Sequence, residues 1–166
     1  MPARRSAGIL LFRPAPGGPQ VLLVHPGGPF WARKDEGAWS IPKGEYEPAD
    51  DPCGAALREF EEELGRPLGA EQQQRLIDLG TVRQPGGKLV TAWAAQGDLD
   101  PETVVSNTFE VEWPPRSGQL QQFPEIDRTG WFAVDEARVK LLRGQLPFLD
   151  ALLAALSQAP NDERAR

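Results

Sequence analysis

Between Gly44 and Gly65 the chain reads GEYEPADDPCGAALREFEEELG, and both ends of one helix are written into it. Asp51 is a side chain suited to capping free N–H groups. Pro52 already has a first-turn backbone and no N–H to leave unpaired, and Gly65 accepts the left-handed conformation that closes a helix. At about 100° per residue, Cys53, Leu57, Phe60 and Leu64 fall on one stripe, so the helix must lay that face against another layer. Glu59, Glu62 and Glu63 stand at i, i+3 and i+4 and share a different face, while Glu61 turns away. Carboxylates grouped with only Arg58 beside them repel one another. A hard cation such as Mg²⁺ turns that repulsion into ligation, because it takes oxygen ligands and keeps water and phosphate oxygens in its remaining positions. The ordinary alternative for such a run is a solvated helix face.

The flanking segments predict the layer beneath. AGILLF (Ala7–Phe12) and QVLLVH (Gln20–His25) are apolar runs separated by PAPGGP, which reads as two buried strands joined by a turn. LIDLGTVRQPGGKLVTAWAAQ gives two strands around Pro85-Gly86-Gly87, SNTFEVEW a further strand, and TGWFAV a last short one. PPRSGQLQQFPEIDR reads as a long irregular connection. VDEARVKLL and PFLDALLAAL are helices, and the polar SQAPNDERAR is expected to fray. This mixed order predicts an α/β fold, a sheet flanked by helices. With 166 residues, 40% of them hydrophobic, the chain suits one domain over residues 1–157, followed by a disordered tail at 158–166.

Charge and rare residues exclude several functions. A net charge of −6 argues against gripping nucleic acid through a broad basic surface, although a small phosphorylated ligand needs only a local cluster or a bridging metal. One cysteine and one histidine supply neither an internal disulfide nor a zinc site. The apolar run after MPARR is far too short for a signal peptide or a membrane span, so a cytoplasmic protein with no membrane partner is expected.

The acidic stretch resembles the Nudix box: Gly, five residues, Glu, seven residues, Arg-Glu, an aliphatic or aromatic residue, one residue, Glu-Glu, one residue, Gly and an aliphatic residue. Gly44, Arg58, Glu59, Phe60, Glu62, Glu63 and Gly65 fall on that pattern at its spacing. Asp50 and Arg66 depart from it, standing where the family has Glu and an aliphatic residue. The resemblance implies a Nudix-type alpha/beta/alpha sandwich with a mixed sheet. It also implies hydrolysis of the diphosphate bridge in a nucleoside diphosphate derivative by water, with Mg²⁺ as the cofactor and Mn²⁺ as the alternative ion. It gives Glu59, Glu62, Glu63 and the carbonyl of Gly44 as metal ligands, and Arg58 as the arginine that orients a box glutamate.

Outside the box, Nudix enzymes often recruit one more carboxylate. Glu125 in FPEIDRTGWF is the leading choice, with Glu110 and Glu112 as alternatives that share a strand face and read equally as its solvent side. Lys43 in WSIPKG reads equally as a residue reaching a phosphate and as an exposed lysine at a strand end. The loop PGGPFWARKDEGAWS, with Trp31, Arg33 and Lys34, suggests a binding surface. Trp31, Trp39 and Trp113 are each candidates for stacking a base, and equally for the core. His25 reads as a capping or packing residue, and Cys53 as core. WSIPKG also resembles the segment before the box in diadenosine tetraphosphate hydrolases and diphosphoinositol polyphosphate phosphohydrolases. The basic residues are scattered, which favours a nucleotide over an inositol polyphosphate. Dinucleoside polyphosphates or nucleoside triphosphates are therefore the leading substrates. A nucleotide-sugar hydrolase and a non-catalytic nucleotide-binding regulatory domain are the alternatives, and the expected assembly is a monomer or a homodimer.

Overall fold

The computed structural model describes residues 3–164, with side chains through Gln158. Strand β1 (Arg5–Arg13) is the axis of the fold. Its interior is apolar or small at every position, so both faces can be buried. Leu10 and Phe12 join Val21 and Leu23 of β2 (Gln20–Pro26) in one core, while Ile9 and Leu11 join Leu22 and Val24 in the other. Helices α3 (Val134–Lys140) and α4 (Leu146–Arg164) cover the first core through Ala137, Phe148, Leu149 and Leu152. Helix α1 (Pro52–Leu64) covers the second through Ala56, Phe60 and Leu64. The result is the expected alpha/beta/alpha sandwich around a mixed sheet.

One edge of β1 runs parallel to β5 (Leu89–Gln96), which pairs antiparallel with β4 (Ile77–Arg83) across the turn at Pro85–Gly87. The other edge is shared between two partners. β2 is in register with β1 only beside their turn, at Phe12↔Val21 and Arg13↔Gln20, and the two strands then diverge. The segment from Trp39 to Glu45 fills the gap as a wedge. Ser40 exchanges backbone hydrogen bonds of 2.9 Å with Val24, the Ile9 N–H donates to the Pro42 carbonyl at 3.1 Å, and β3 (Lys43–Glu45) pairs with Ser6–Gly8. Fully buried Gln145 accepts from the Ile41 N–H at 3.0 Å and ties the wedge to the opposite helix layer. Lys43 and Gly44 are thereby delivered to the middle of the sheet, under α1.

β8 (Ile126–Ala133) completes the sheet antiparallel to β2. Two features differ from the sequence expectation. The supposed irregular connection contains β7 (Leu120–Pro124) and the start of β8; β7 pairs with β6 (Thr108–Glu112) in a separate two-stranded sheet. LQQFP carries little strand signal of its own, but a free neighbouring edge satisfies its backbone groups. A short α2 (Ala70–Gln74) follows the box, where no helix was expected. α4 is drawn through Arg164 and so takes in most of segment 158–166; Ala165 and Arg166 lie outside the described residues. Among the described residues no helix is long and apolar enough to cross a membrane.

Candidate active site

Helix α1 is capped as its sequence requires. The Asp51 carboxylate accepts from the Gly54 N–H at 2.9 Å, and Gly65, at φ 81°, donates its N–H to the Glu61 carbonyl at 2.8 Å. The buried stripe is shifted from the expected one: Ala55, Ala56, Phe60 and Leu64 are buried, whereas Cys53 and Leu57 are only half-buried. Ala56, Phe60 and Leu64 follow each other at i+4, a row that slants across the helix and fits the sheet better than the row through Cys53. Burial, followed by the negative charges of Asp51 and Asp78, raises the Cys53 thiol pKa, which disfavours the nucleophilic thiolate. The shifted stripe also divides the glutamates. Glu59 and Glu63, at i and i+4, face β3, while Glu61 and Glu62 are exposed.

Contacts across the helix–strand junction are close. The Glu59 carboxylate lies directly on the Cα of Gly44, where an added Cβ would come within 2.0 Å of Oε2. Only glycine permits that approach. Glu63 Oε2 accepts the Lys43 N–H at 3.1 Å. Arg58 Nη2 lies 3.6 Å from Glu59 Oε1 and steadies it from outside. Asp50, shorter than the glutamate of the box pattern, accepts the Glu47 N–H at 3.1 Å and serves the turn that leads into α1.

A cavity of about 210 Å³ opens beside Glu63, lined by Lys43, Trp31 and Glu125, with Val24 and Ile41 among its apolar walls. Four residues picked from separate parts of the sequence thus meet at one place. Arg33 and Lys34 do not line it; the Lys34 ammonium lies over the Trp31 ring, 5.0 Å from its centre. Glu110 and Glu112 are exposed on β6, and Glu112 accepts the Gly118 N–H at 3.0 Å within the hairpin, so the solvent-side reading holds for them. Trp39 is a core residue and Trp113 packs edge-on against Phe30 in the hairpin, which leaves Trp31 as the cavity tryptophan.

The electrostatics of this site are those of carboxylates short of a counter-charge. Burial pushes the Glu63 carboxyl up to about 8; Glu59 and Glu125 add to the rise, and the Lys43 ammonium and N–H oppose it. Glu59 is raised by burial and then by Glu62, against the pull of Arg58. Burial, followed by Lys88, lowers the Lys43 pKa in spite of Glu63, Glu45 and Glu59. Glu63 and Lys43 therefore both move toward their neutral forms, because burial outweighs their mutual attraction. A dication would supply the missing charge, and an all-oxygen donor set is the kind Mg²⁺ takes. Among the described residues no three Asp, Glu, His or Cys side chains converge closely enough to hold an ion alone. Glu59 and Glu63, with Glu62 exposed but near enough to raise the Glu59 pKa, fit such an ion only together with backbone carbonyl, water or phosphate oxygens, as is usual for Mg²⁺.

Two positioning networks escaped the sequence reading. Gln145 holds the wedge that carries Lys43 and Gly44. His25, fully buried, bonds the Lys34 carbonyl at 2.6 Å through Nε2 and Asp127 Oδ1 at 2.7 Å through Nδ1. A polar residue in GQLPF gave no signal, whereas a histidine ending an apolar strand did.

Comparisons with known proteins agree with this architecture. A NUDIX domain model matches residues 2–152. No curated protein matches the chain. Among solved structures, a C. elegans Ap4A hydrolase binary complex is 22% identical over 93% of this chain and 98% of that one, with a TM-score of 0.58. The NUDIX domain of Shewanella oneidensis NrtR, complexed with ADP ribose, is 15% identical over 94% and 90%, with a TM-score of 0.61. The M. smegmatis Nudix hydrolase RenU is 26% identical over 92% and 84%, with a TM-score of 0.56. Box residues at family spacing, a sandwich that brings Glu59 and Glu63 onto Gly44 and Lys43, and a domain match over nearly the whole chain lead to one conclusion: this protein belongs to the NUDIX family, hydrolases of phosphoric anhydride bonds.

Proposed function

We propose that the protein is a divalent-cation-dependent pyrophosphohydrolase whose substrates are dinucleoside polyphosphates or nucleoside triphosphates. The observation that carries this reading is the convergence of Glu63, Glu125, Lys43 and Trp31 on one cavity beside Glu59 and Gly44. In this reading Glu59, Glu62, Glu63 and the Gly44 carbonyl hold Mg²⁺, for which Mn²⁺ can substitute. Bound there, the cation neutralises phosphate oxygens and lowers the pKa of water. Lys43 faces a phosphate from the cavity wall, and Trp31 stacks on the base. Arg58 keeps Glu59 oriented, and Glu125, exposed at the rim, accepts the proton of the attacking water as the bridging P–O bond breaks. Arg33 and Lys34 add positive charge on the Trp31 loop.

The substrate class is supported by charge beyond the cavity. Arg4, Arg83 and Lys88 line a second cleft of about 650 Å³, and Lys88 is close enough to Lys43 to depress its pKa. Glu45 offsets part of this charge, at 3.4 Å from Lys88 and 3.8 Å from Arg4. The surplus suits a chain of phosphates better than a neutral sugar. One relative is an Ap4A hydrolase, and the ADP ribose bound by another keeps the nucleotide-sugar reading as the alternative. The test is turnover with Mg²⁺ across dinucleoside polyphosphates, nucleoside triphosphates and nucleotide sugars, with products identified by mass. Cleavage of the first two classes well above the third is expected. Preference for sugars would replace the substrate class, and binding without any turnover would establish a regulatory domain instead.

A further inference from the structure

We propose that His25 is a positioning residue for this reaction, a doubly protonated ring that fastens both walls of the active-site cavity. The inference rests on the pyrophosphohydrolase reading for its consequence, and on geometry for its substance. Both ring nitrogens of His25 point at oxygens, Nε2 at the Lys34 carbonyl and Nδ1 at Asp127 Oδ1. A carbonyl can only accept, and a carboxylate with the Arg128 guanidinium 3.9 Å away is an acceptor too. Both bonds therefore form only when both nitrogens carry a proton. A neutral ring, with one N–H, makes one of them and turns a lone pair toward the other oxygen.

Each bond leads to the cavity in a single step. The Lys34 N–H donates to the Trp31 carbonyl at 3.0 Å, so the residue that His25 holds through its carbonyl is itself bonded to Trp31 through its N–H. On the other side Asp127 lies two residues beyond Glu125, whose carbonyl accepts the Gly27 N–H at 2.8 Å where the Trp31 loop begins. The charged groups of the surrounding elements are Arg128, opposite His25 on β8 and paired to Asp127, and Asp35 in the loop, paired to Lys140 at the end of α3. Lys34 turns its ammonium to Trp31, and Trp39 packs edge-on to His25 with ring centroids 5.3 Å apart. The clamp thus sets the spacing between a base-stacking wall and a carboxylate.

His25 is the sole histidine, so its ring nitrogens are identified in a ¹⁵N NMR spectrum without assignment. Both are expected to be protonated whenever the two bonds are made. As pH rises and the second proton leaves, amide exchange at Trp31 and Lys34 should quicken and KM should rise about tenfold, the weight of one hydrogen bond, with kcat changing less. Asp127→Asn, at a partly exposed position, should shift the ring titration, the exchange and the KM rise together to lower pH; His25→Gln should show high KM at every pH. A ring singly protonated throughout, or exchange indifferent to its titration, overturns the inference. Absence of turnover in a wild-type protein with the expected ring and exchange behaviour would overturn the pyrophosphohydrolase reading instead.

Discussion

The contact between Gly44 and Glu59 gives the site its sharpest single-residue test. A methyl group at Gly44 would meet the Glu59 carboxylate within 2.0 Å, and the group that must yield is the free end of a flexible side chain. Gly44→Ala should therefore leave the melting temperature within about 4 °C and still lower kcat by about a hundredfold, because the carboxylate is displaced. Parallel loss of stability and turnover would mean that Gly44 protects helix packing rather than carboxylate placement. Glu63 makes a different prediction. Its folded-state pKa of about 8 lies above its ordinary 4.5, so between those values the folded chain holds a proton that the unfolded chain has released. The stabilisation is complete below pH 4.5 and is lost as pH climbs through about 8. In chelator, the melting temperature should fall from pH 5 to pH 8.5, and Glu63→Gln should flatten that slope while cutting turnover at least about a hundredfold. Lys43, whose pKa is lowered, acts in the opposite sense, and the Glu63→Gln variant separates the two contributions. A slope unchanged in the variant would remove Glu63 as its source.

At the scale of elements, α1 and the Trp31 loop divide the work between holding and recognising. α1 has two outward faces, and Glu61 stands on the one turned away from β3. Glu61→Gln should change stability by less than about 0.5 kcal/mol and leave turnover unaltered. Damage equal to that of Glu63→Gln would place the helix in another register. The loop touches the cavity through Trp31 alone among its tryptophan, arginine and lysine residues. Trp31→Ala should raise KM far more than it lowers kcat, the signature of lost ground-state binding, when both are measured with a nucleotide substrate. An unchanged KM would assign Trp31 to the wall and not to the ligand.

At the scale of the whole molecule, the site is a deliberate local instability inside a well-packed sandwich. Glu59 and Glu63 are desolvated with too little positive charge, so a ligand that supplies charge binds the folded state alone. Mg²⁺ at a hundred times its dissociation constant should raise the melting temperature by roughly 5–10 °C. The gain should be larger at pH 8 than at pH 5, where protons compete for Glu63. Melting curves at both pH values, with and without chelator, measure this; curves that superimpose would argue against a cation among these carboxylates.

The sequence by itself determined the elements that rest on local chemistry. Asp51, Pro52 and Gly65 set the ends of α1 because caps and proline act within a few residues, and AGILLF and QVLLVH read as buried strands because they are short apolar runs flanking a turn rich in Gly and Pro. The box spacing likewise marked Glu59, Glu63 and Gly44. What only the tertiary structure decided depends on pieces far apart in the chain. β7 exists because β6 offers an edge, and a polar LQQFP cannot announce that. Splaying of β2 from β1 admits the wedge that puts Lys43 and Gly44 under α1, and a buried Gln145 more than a hundred residues later holds it there. Which glutamates turn inward followed from the row that α1 packs on the sheet, a choice that moved Cys53 to the edge of the core and left Glu62 in solvent. Spacing along a helix fixes which side chains are neighbours; the surface the helix lands on fixes which of them lose water, and loss of water is what perturbs Glu59, Glu63 and Lys43.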